Sequence, residues 1–210
     1  MIAQHPAHAT DYSELLDELD IFRLVRSERF ARDQGDWEGL ASHYIDDSHV
    51  RVTWFTGTGA EFAKMSRDMA RNGRHSKHPI WPIRARVVGD RGLVESYSQI
   101  QNRSVIDGVE LDMTQHCRFF SQVVRTDAGW KMKSFEAIYQ KDSIAPVRPA
   151  DEVPIDWDEV CRYRPSYRIW TWAMVKRGYS VPDDLPGDDR PDLVAAFYAQ
   201  MAAWLQRAPM

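Results

Sequence analysis

Apolar residues recur at Leu15, Leu16, Leu19, Phe22, Val25 and Phe30, close to a 3.6-residue period. The pattern predicts an amphipathic helix from Asp11 to about Asp33, with Asp11 or Ser13 available as its cap. Gly35 interrupts that rhythm and Trp37, Leu40, Ala41 and Tyr44 resume it, which predicts a second helix after a tight turn. Val50, Val52 and Trp54 then alternate as in a strand, and "AEFAKMSRDMAR" (60–71) fits a short helix presenting Phe62, Met65 and Met69.

Beyond that helix the period shortens to two. Long alternating runs are separated by "GDRG" at 89–92, "DG" at 107–108 and "DAG" at 127–129, so an antiparallel meander is expected over about 79–88, 92–105, 109–125 and 129–140. Strands of that length curl, and the concave face needs a cover. The three helices supply it, so the expected class is α+β: a cone-shaped curved sheet, antiparallel or mixed, covered by N-terminal helices around an interior pocket. The prolines of "DSIAPVRPADEVPIDWDEV" mark a linker. Past it, 161–179 and 191–206 read as two helices rich in Tyr and Trp. The expected division is therefore a cone domain, residues 1–144, and a helical C-terminal extension, residues 145–210. So many aromatics would leave too large an apolar patch unless covered, so the extension is expected to pack on the cone or on a neighbouring subunit, as a homodimer or homotrimer.

Composition and charge narrow the classes. Of 210 residues, 43% are hydrophobic and 28% charged, which is the composition of a folded globular chain. A net charge of -4 gives no broad basic field, so no nucleic-acid partner is expected. Cys117 and Cys161 follow no CxxC spacing; there is no basic region leading an apolar core at the start, and no run approaches the ~18 apolar residues of a membrane span. The reading is a cytoplasmic protein with no membrane partner. No P-loop, GxGxxG, GxSxG or HExxH motif is present, which leaves nucleotide-dependent, serine-hydrolase and zincin mechanisms without support. The expected partner is a small-molecule substrate, with no cofactor.

Candidate chemistry centres on "NGRHSKHPIWPIR" (72–84). His78, at the mouth of a strand and followed by Pro79 and Trp81, can be held with its ring directed into the cone, and an imidazole suits general-base work near neutrality. From the residues alone, a solvated loop histidine beside a helix-terminal aspartate explains the pattern as well. His116 shares one strand face with Asp112, Thr114, Arg118 and Phe120; it is a general acid if that face lines the pocket, and a solvent-facing residue if not. Tyr44, Trp54, Trp81, Tyr97 and Phe120 are candidate substrate-binding walls. The strongest metal-like spacing, His75-x-x-His78 with His116, is too loose to predict a site, and no metal is expected.

The order of elements from about 11 to 141, with "RDQGDWEGLASHYIDD" between the helices and "DAGWKMKSF" in the last strand, resembles the SnoaL-like members of the nuclear transport factor 2-like superfamily, in the scytalone dehydratase-like branch. That resemblance implies a catalytic aspartate near the end of the first helix, matching Asp33, and a histidine entering the second strand, matching His78, with His116 as a second histidine. Where related dehydrochlorinases place an arginine in the last strand, this chain has Phe135 or Glu136, a departure that argues against chloride elimination. The expected function is a cofactor-independent lyase acting by His/Asp acid–base chemistry on a bulky aromatic or polycyclic alcohol, by dehydration or formaldehyde-releasing elimination, with isomerisation using the same transfers. Tyr44 or Tyr97 is an alternative donor to the departing oxygen. The alternative class is a noncatalytic ligand binder or a structural subunit of the dioxygenase β type, for which the aromatic tail would be an assembly surface.

Overall fold

The computed structural model describes residues 12–207. Helix α1 (Tyr12–Gln34) ends at Gly35, whose φ of 79° suits glycine, and α2 (Trp37–Ser42) begins at once, with Asp36 capping it through a bond from the Gly39 N–H (2.8 Å). Asp11, named above as a cap, lies outside the described residues. Tyr44 opens strand β1 (Tyr44–Val52) instead of closing α2, and β2 (Phe55–Gly57) folds back on it. Helix α3 (Gly59–Arg71) starts with a capping box between Thr58 and Glu61.

Strands β3 (Ser76–Lys77), β4 (Ile80–Val88), β5 (Arg91–Ile106), β6 (Val109–Thr126) and β7 (Gly129–Pro146) complete a seven-stranded mixed sheet. Its order is β2-β1-β7-β6-β5-β3, with β4 also on β5; β1 runs parallel to β7 and the other pairs are antiparallel. Asp107 and Gly108, with φ of 49° and 84°, form the tight β5–β6 turn that the "DG" pair predicts.

The three N-terminal helices cover the concave face. On α1 the buried stripe is Ile21, Leu24, Val25, Glu28, Arg29 and Arg32, whereas Leu15, Leu16 and Leu19 are substantially exposed and Phe30 is 67% exposed. The apolar face read from the sequence is thus rotated from the observed one, because charged residues occupy the buried positions of the last turns.

The extension forms a short helix α4 (Trp157–Val160), then α5 (Arg168–Val175) and α6 (Pro191–Leu205). Strand β7 runs through Pro146, so the boundary expected at 144–145 falls inside a strand. The extension has no separate core. Tyr167, Trp170, Trp172 and Met174 join the main cluster, and Phe197, Met201 and Leu205 pack on Leu93, Phe120 and Ile138 of the sheet's convex face.

Candidate active site

The site begins with an interruption in the edge of the sheet. Strands β3 and β4 both pair with β5, and the break between them is His78-Pro79. Proline has no N–H for the ladder, and the Pro79 carbonyl accepts from the Gln99 N–H and the Ser98 hydroxyl, each at 3.1 Å. The His78 N–H donates instead to Asp33 Oδ2 (2.6 Å), and its ring Nδ1 lies 2.6 Å from Asp33 Oδ1. Both carboxylate oxygens of one residue, in the last turn of α1, therefore fix one histidine. Lys77 reinforces the junction through its ammonium on the Asp33 carbonyl oxygen.

Burial opposes ionisation of Asp33, but the bonds and charge of His78 outweigh it and hold the carboxyl below its ordinary range. A carboxylate accepts only, so Nδ1 carries the proton and Nε2 keeps its lone pair. The His78 side chain is 5% exposed. Burial first, and then the Arg32 charge, bring its pKa down from 6.5 to about 4, with Asp33 pulling the other way, so the ring is neutral at pH 7.

His78 lines a narrow cavity of about 40 Å³ that is open to solvent at one end. Trp54, Phe62, Phe119 and Phe135 form much of its wall. Arg29 and Arg32 enter from α1. Arg29 is fully buried, doubly bonded to Glu28, and lies 4.4 Å over the Phe135 ring; Tyr44 donates to the same Glu28 (2.7 Å). Burial disfavours the Arg29 charge, yet the Glu28 carboxylate more than restores it. The C-terminal extension closes the cavity with Trp170, Met174, Arg177 and Tyr179, and Asp142 of β7 seats α5 by accepting the Trp170 backbone N–H (2.8 Å). Arg74 reaches across to donate to the Tyr179 hydroxyl (2.5 Å).

The structure brings together His78, Asp33 and, on the cavity wall, Trp54. It places the other candidates elsewhere. His116 lies on the convex face of β6 with Arg118 and Phe120, because the buried set Leu111, Met113, Gln115, Cys117 and Phe119, apolar but for Gln115, faces inward. Phe120 packs edge-on against Phe197 and Tyr198 of α6. Tyr44 sits behind the cavity on Glu28, and Trp81 and Tyr97, partners across β4 and β5, are 53% and 51% exposed. His75 is exposed, so the three histidines considered for a metal do not meet. Among the described residues no group of three or more His, Cys, Asp or Glu side chains is placed to hold a metal ion.

Sequence reading missed Arg29, Arg32, Arg74, Asn102, Tyr139, Trp170, Arg177 and Tyr179, all of which line the cavity. For two of them a signal existed. Glu28, Arg29 and Arg32 continue the i, i+3, i+4 stripe of Ile21, Leu24 and Val25, and charged residues on a buried stripe mark a site. Nothing local marks the tail residues, whose place is set by the packing of α5 on β7.

Fold and site together define an α+β cone of the nuclear transport factor 2-like kind, with a histidine–carboxylate pair inside its cavity. The chain belongs to the SnoaL-like family, whose domain matches residues 13–136. Its relatives include Pea pathogenicity protein 2 of Fusarium vanettenii, 27% identical over 180 residues, covering 83% of this chain and 77% of that protein. An uncharacterised protein of Emericella nidulans is 28% identical over 168 residues, covering 76% of this chain and 71% of that one. Among solved structures, a candidate scytalone dehydratase from Novosphingobium aromaticivorans superposes with a TM-score of 0.52 at 21% identity, over 69% of this chain and 97% of that one. A type 2 hexachlorocyclohexane dehydrochlorinase gives 0.54 at 18%, over 69% and 98%. These two confirm the fold. The family includes dehydratases, and among the described residues no helix is long and apolar enough to cross a membrane.

Proposed function

We propose that the protein is a cofactor-independent lyase that eliminates water, or releases formaldehyde, from a bulky ring-containing alcohol. The observation that carries this reading is the His78 ring, tied by Nδ1 to Asp33 at 2.6 Å and lining an aromatic-walled cavity. His78 Nε2 takes a proton from the carbon next to the departing group, and the developing imidazolium is stabilised by the Asp33 carboxylate. In water loss, electrons from the broken C–H bond form the new double bond as the C–O bond breaks; in formaldehyde release His78 takes the proton of a hydroxymethyl O–H instead, the O–H electrons form the C=O of formaldehyde, and the pair from the broken C–C bond forms the double bond as the neighbouring C–O bond breaks. The departing oxygen needs a proton, and with His116, Tyr44 and Tyr97 outside the cavity, the hydroxyls of Tyr139 and Tyr179 are its donors. Tyr139 accepts from the Thr53 N–H (3.1 Å) and burial holds its pKa up, while Tyr179 accepts from Arg74; each keeps its own proton for a ligand.

The noncatalytic reading draws on the tail as an assembly surface; Tyr167, Trp170 and Trp172 of that tail are buried against their own chain, whereas Trp157 is 54% exposed. The test is a panel of aromatic and polycyclic alcohols followed by absorbance for a new conjugated product, with wild type and His78→Ala compared. Turnover falling by about two to four orders of magnitude in the variant is expected. A substrate turned over equally by both proteins would remove His78 from the mechanism.

A further inference from the structure

The cavity is more positive than its chemistry as a base site requires. Four guanidiniums line it, from Arg29, Arg32, Arg74 and Arg177, and no carboxylate does, in a chain whose net charge is -4. Arg29 is neutralised by Glu28 behind the wall. Arg32, 8% exposed, has only Asp33 Oδ1 at 4.0 Å, an oxygen already engaged by His78. Among the described residues Arg74 and Arg177 have no carboxylate within ion-pair distance, and they lie near enough for burial and then the Arg74 charge to lower the Arg177 pKa. The buried indole N–H of Trp170, on the same cavity, has no acceptor.

A buried donor without an acceptor and like charges held together are costly arrangements in a protein alone. One anionic group entering the cavity would satisfy both. The rest of the wall is apolar and largely aromatic, so that group arrives on a ring-containing body. Guanidiniums match a planar carboxylate with paired N–H donors.

We propose that the ligand of this cavity is a ring-containing carboxylic acid, bound as its carboxylate by Arg32, Arg74, Arg177 and the Trp170 N–H, with its ring against Trp54 and Phe62. Two of these four donors come from the C-terminal extension, so the extension sets the ligand class as well as closing the cavity. The proposal deepens the lyase reading by adding an acid group to its substrate, and it rests on that reading only for the reaction at His78.

The probes are 2-naphthoate, its uncharged counterpart 2-naphthalenemethanol, and inorganic phosphate, with binding to the full chain followed by tryptophan fluorescence and calorimetry. Naphthoate is expected to bind about ten- to a hundred-fold more tightly than the alcohol, the range for hydrogen bonds to a charged group. Arg74→Gln and Arg177→Gln should each reduce naphthoate affinity about tenfold without changing that of the alcohol, and Arg177→Lys should keep most of it. Equal affinity for naphthoate and alcohol in the wild type overturns the proposal, as does full naphthoate affinity in both glutamine variants. Phosphate competing as well as naphthoate overturns the carboxylic-acid assignment. Should one variant not fold, wild-type selectivity and the other variant still decide. The outcomes separate from the lyase test. Selective naphthoate binding with no turnover of any ring alcohol leaves the anion site and removes the lyase, whereas His78-dependent turnover of a neutral alcohol with no naphthoate preference does the reverse.

Discussion

The two faces of the sheet each carry an arginine, a glutamate and a tyrosine bonded together, and the two sets are finished differently. On the convex face Tyr198 of α6 donates to Glu95 (2.5 Å), Arg118 donates to Tyr198 (2.6 Å), Glu95 (3.2 Å) and Asp188 (3.1 Å), and Arg84 adds a bond to Glu95 (3.0 Å). That network holds a helix down. On the concave face Glu28, Arg29 and Tyr44 form a similar set, but around it, among the described residues, Arg74 and Arg177 have no carboxylate partner, Arg32 has only Asp33 at 4.0 Å, and the buried Trp170 N–H has no acceptor. Each face leaves a buried donor open, Arg118 Nε outside and the Trp170 N–H inside, so what separates them is charge: Arg118 has two carboxylates, and Arg74 and Arg177 have none.

The largest effect should come from removing what both faces share. Ending the chain after Pro146 uncovers Leu93, Phe120 and Ile138 outside and opens the cavity inside. Dye binding, light scattering and activity should show an aggregating, inactive product; a soluble, fully active truncated monomer would mean that neither face needs the extension.

Next is Asp33→Asn. The carboxylate accepts two bonds from His78, one from the backbone and one from the ring, and an amide offers one acceptor oxygen. Activity should fall by about two to four orders of magnitude, whereas Asp36→Asn, at the α2 cap, should retain it. The reverse outcome would identify Asp36 as the working carboxylate.

The two networks can be set directly against each other through their glutamates. Glu28→Gln leaves the Arg29 charge buried without its counter-charge and should cost about 3–5 kcal/mol in chemical denaturation. Glu95→Gln leaves Arg118 with Asp188 and Arg84 with solvent, and should cost about 1–2 kcal/mol. Equal costs would erase the distinction between the faces.

Acid should act on the concave face. Unfolded, His78 binds a proton near pH 6.5; folded, not until about pH 4. Between these values the unfolded state holds more protons, so stability falls as pH is lowered through that window, by on the order of 3 kcal/mol if His78 acts alone. The depressed Asp33 pKa works in the same direction at lower pH. The kcat/KM profile should be flat through 6.5 and fall toward 4. A break near 6.5 would show a solvated histidine at work.

The meander was legible because Gly and Asp-Gly turns bound runs of strict alternation, and the Asp33–His78 pair was legible through the order of elements that carries the family resemblance. His116 was misplaced by a tie that alternation cannot break. Period two sorts β6 into two faces correctly, but only packing tells which face is inside, and here Met113, Cys117 and Phe119 outcompete His116 for the concave side. Phe135 on the last strand shows the same limit. The sequence reads as a lost arginine, while the structure lays Arg29 of α1 over that ring, so the charge enters from another element.

The smallest effect is expected from Tyr198→Phe, which separates scaffold from site most cleanly. The change removes one hydroxyl that donates to Glu95 and accepts from Arg118, and leaves the ring packed on Phe120 and Phe197. Arg118 keeps Glu95 and Asp188, and Glu95 keeps Arg118 and Arg84, so no charge is stranded. The cost should be about 1 kcal/mol in denaturation, the usual value of one such bond, with naphthoate affinity and kcat/KM unchanged because no cavity residue touches this hydroxyl. A kcat/KM reduced tenfold or more at unaltered stability would show that the convex network is coupled through the sheet to His78, and charge pairing would then no longer mark it as scaffold.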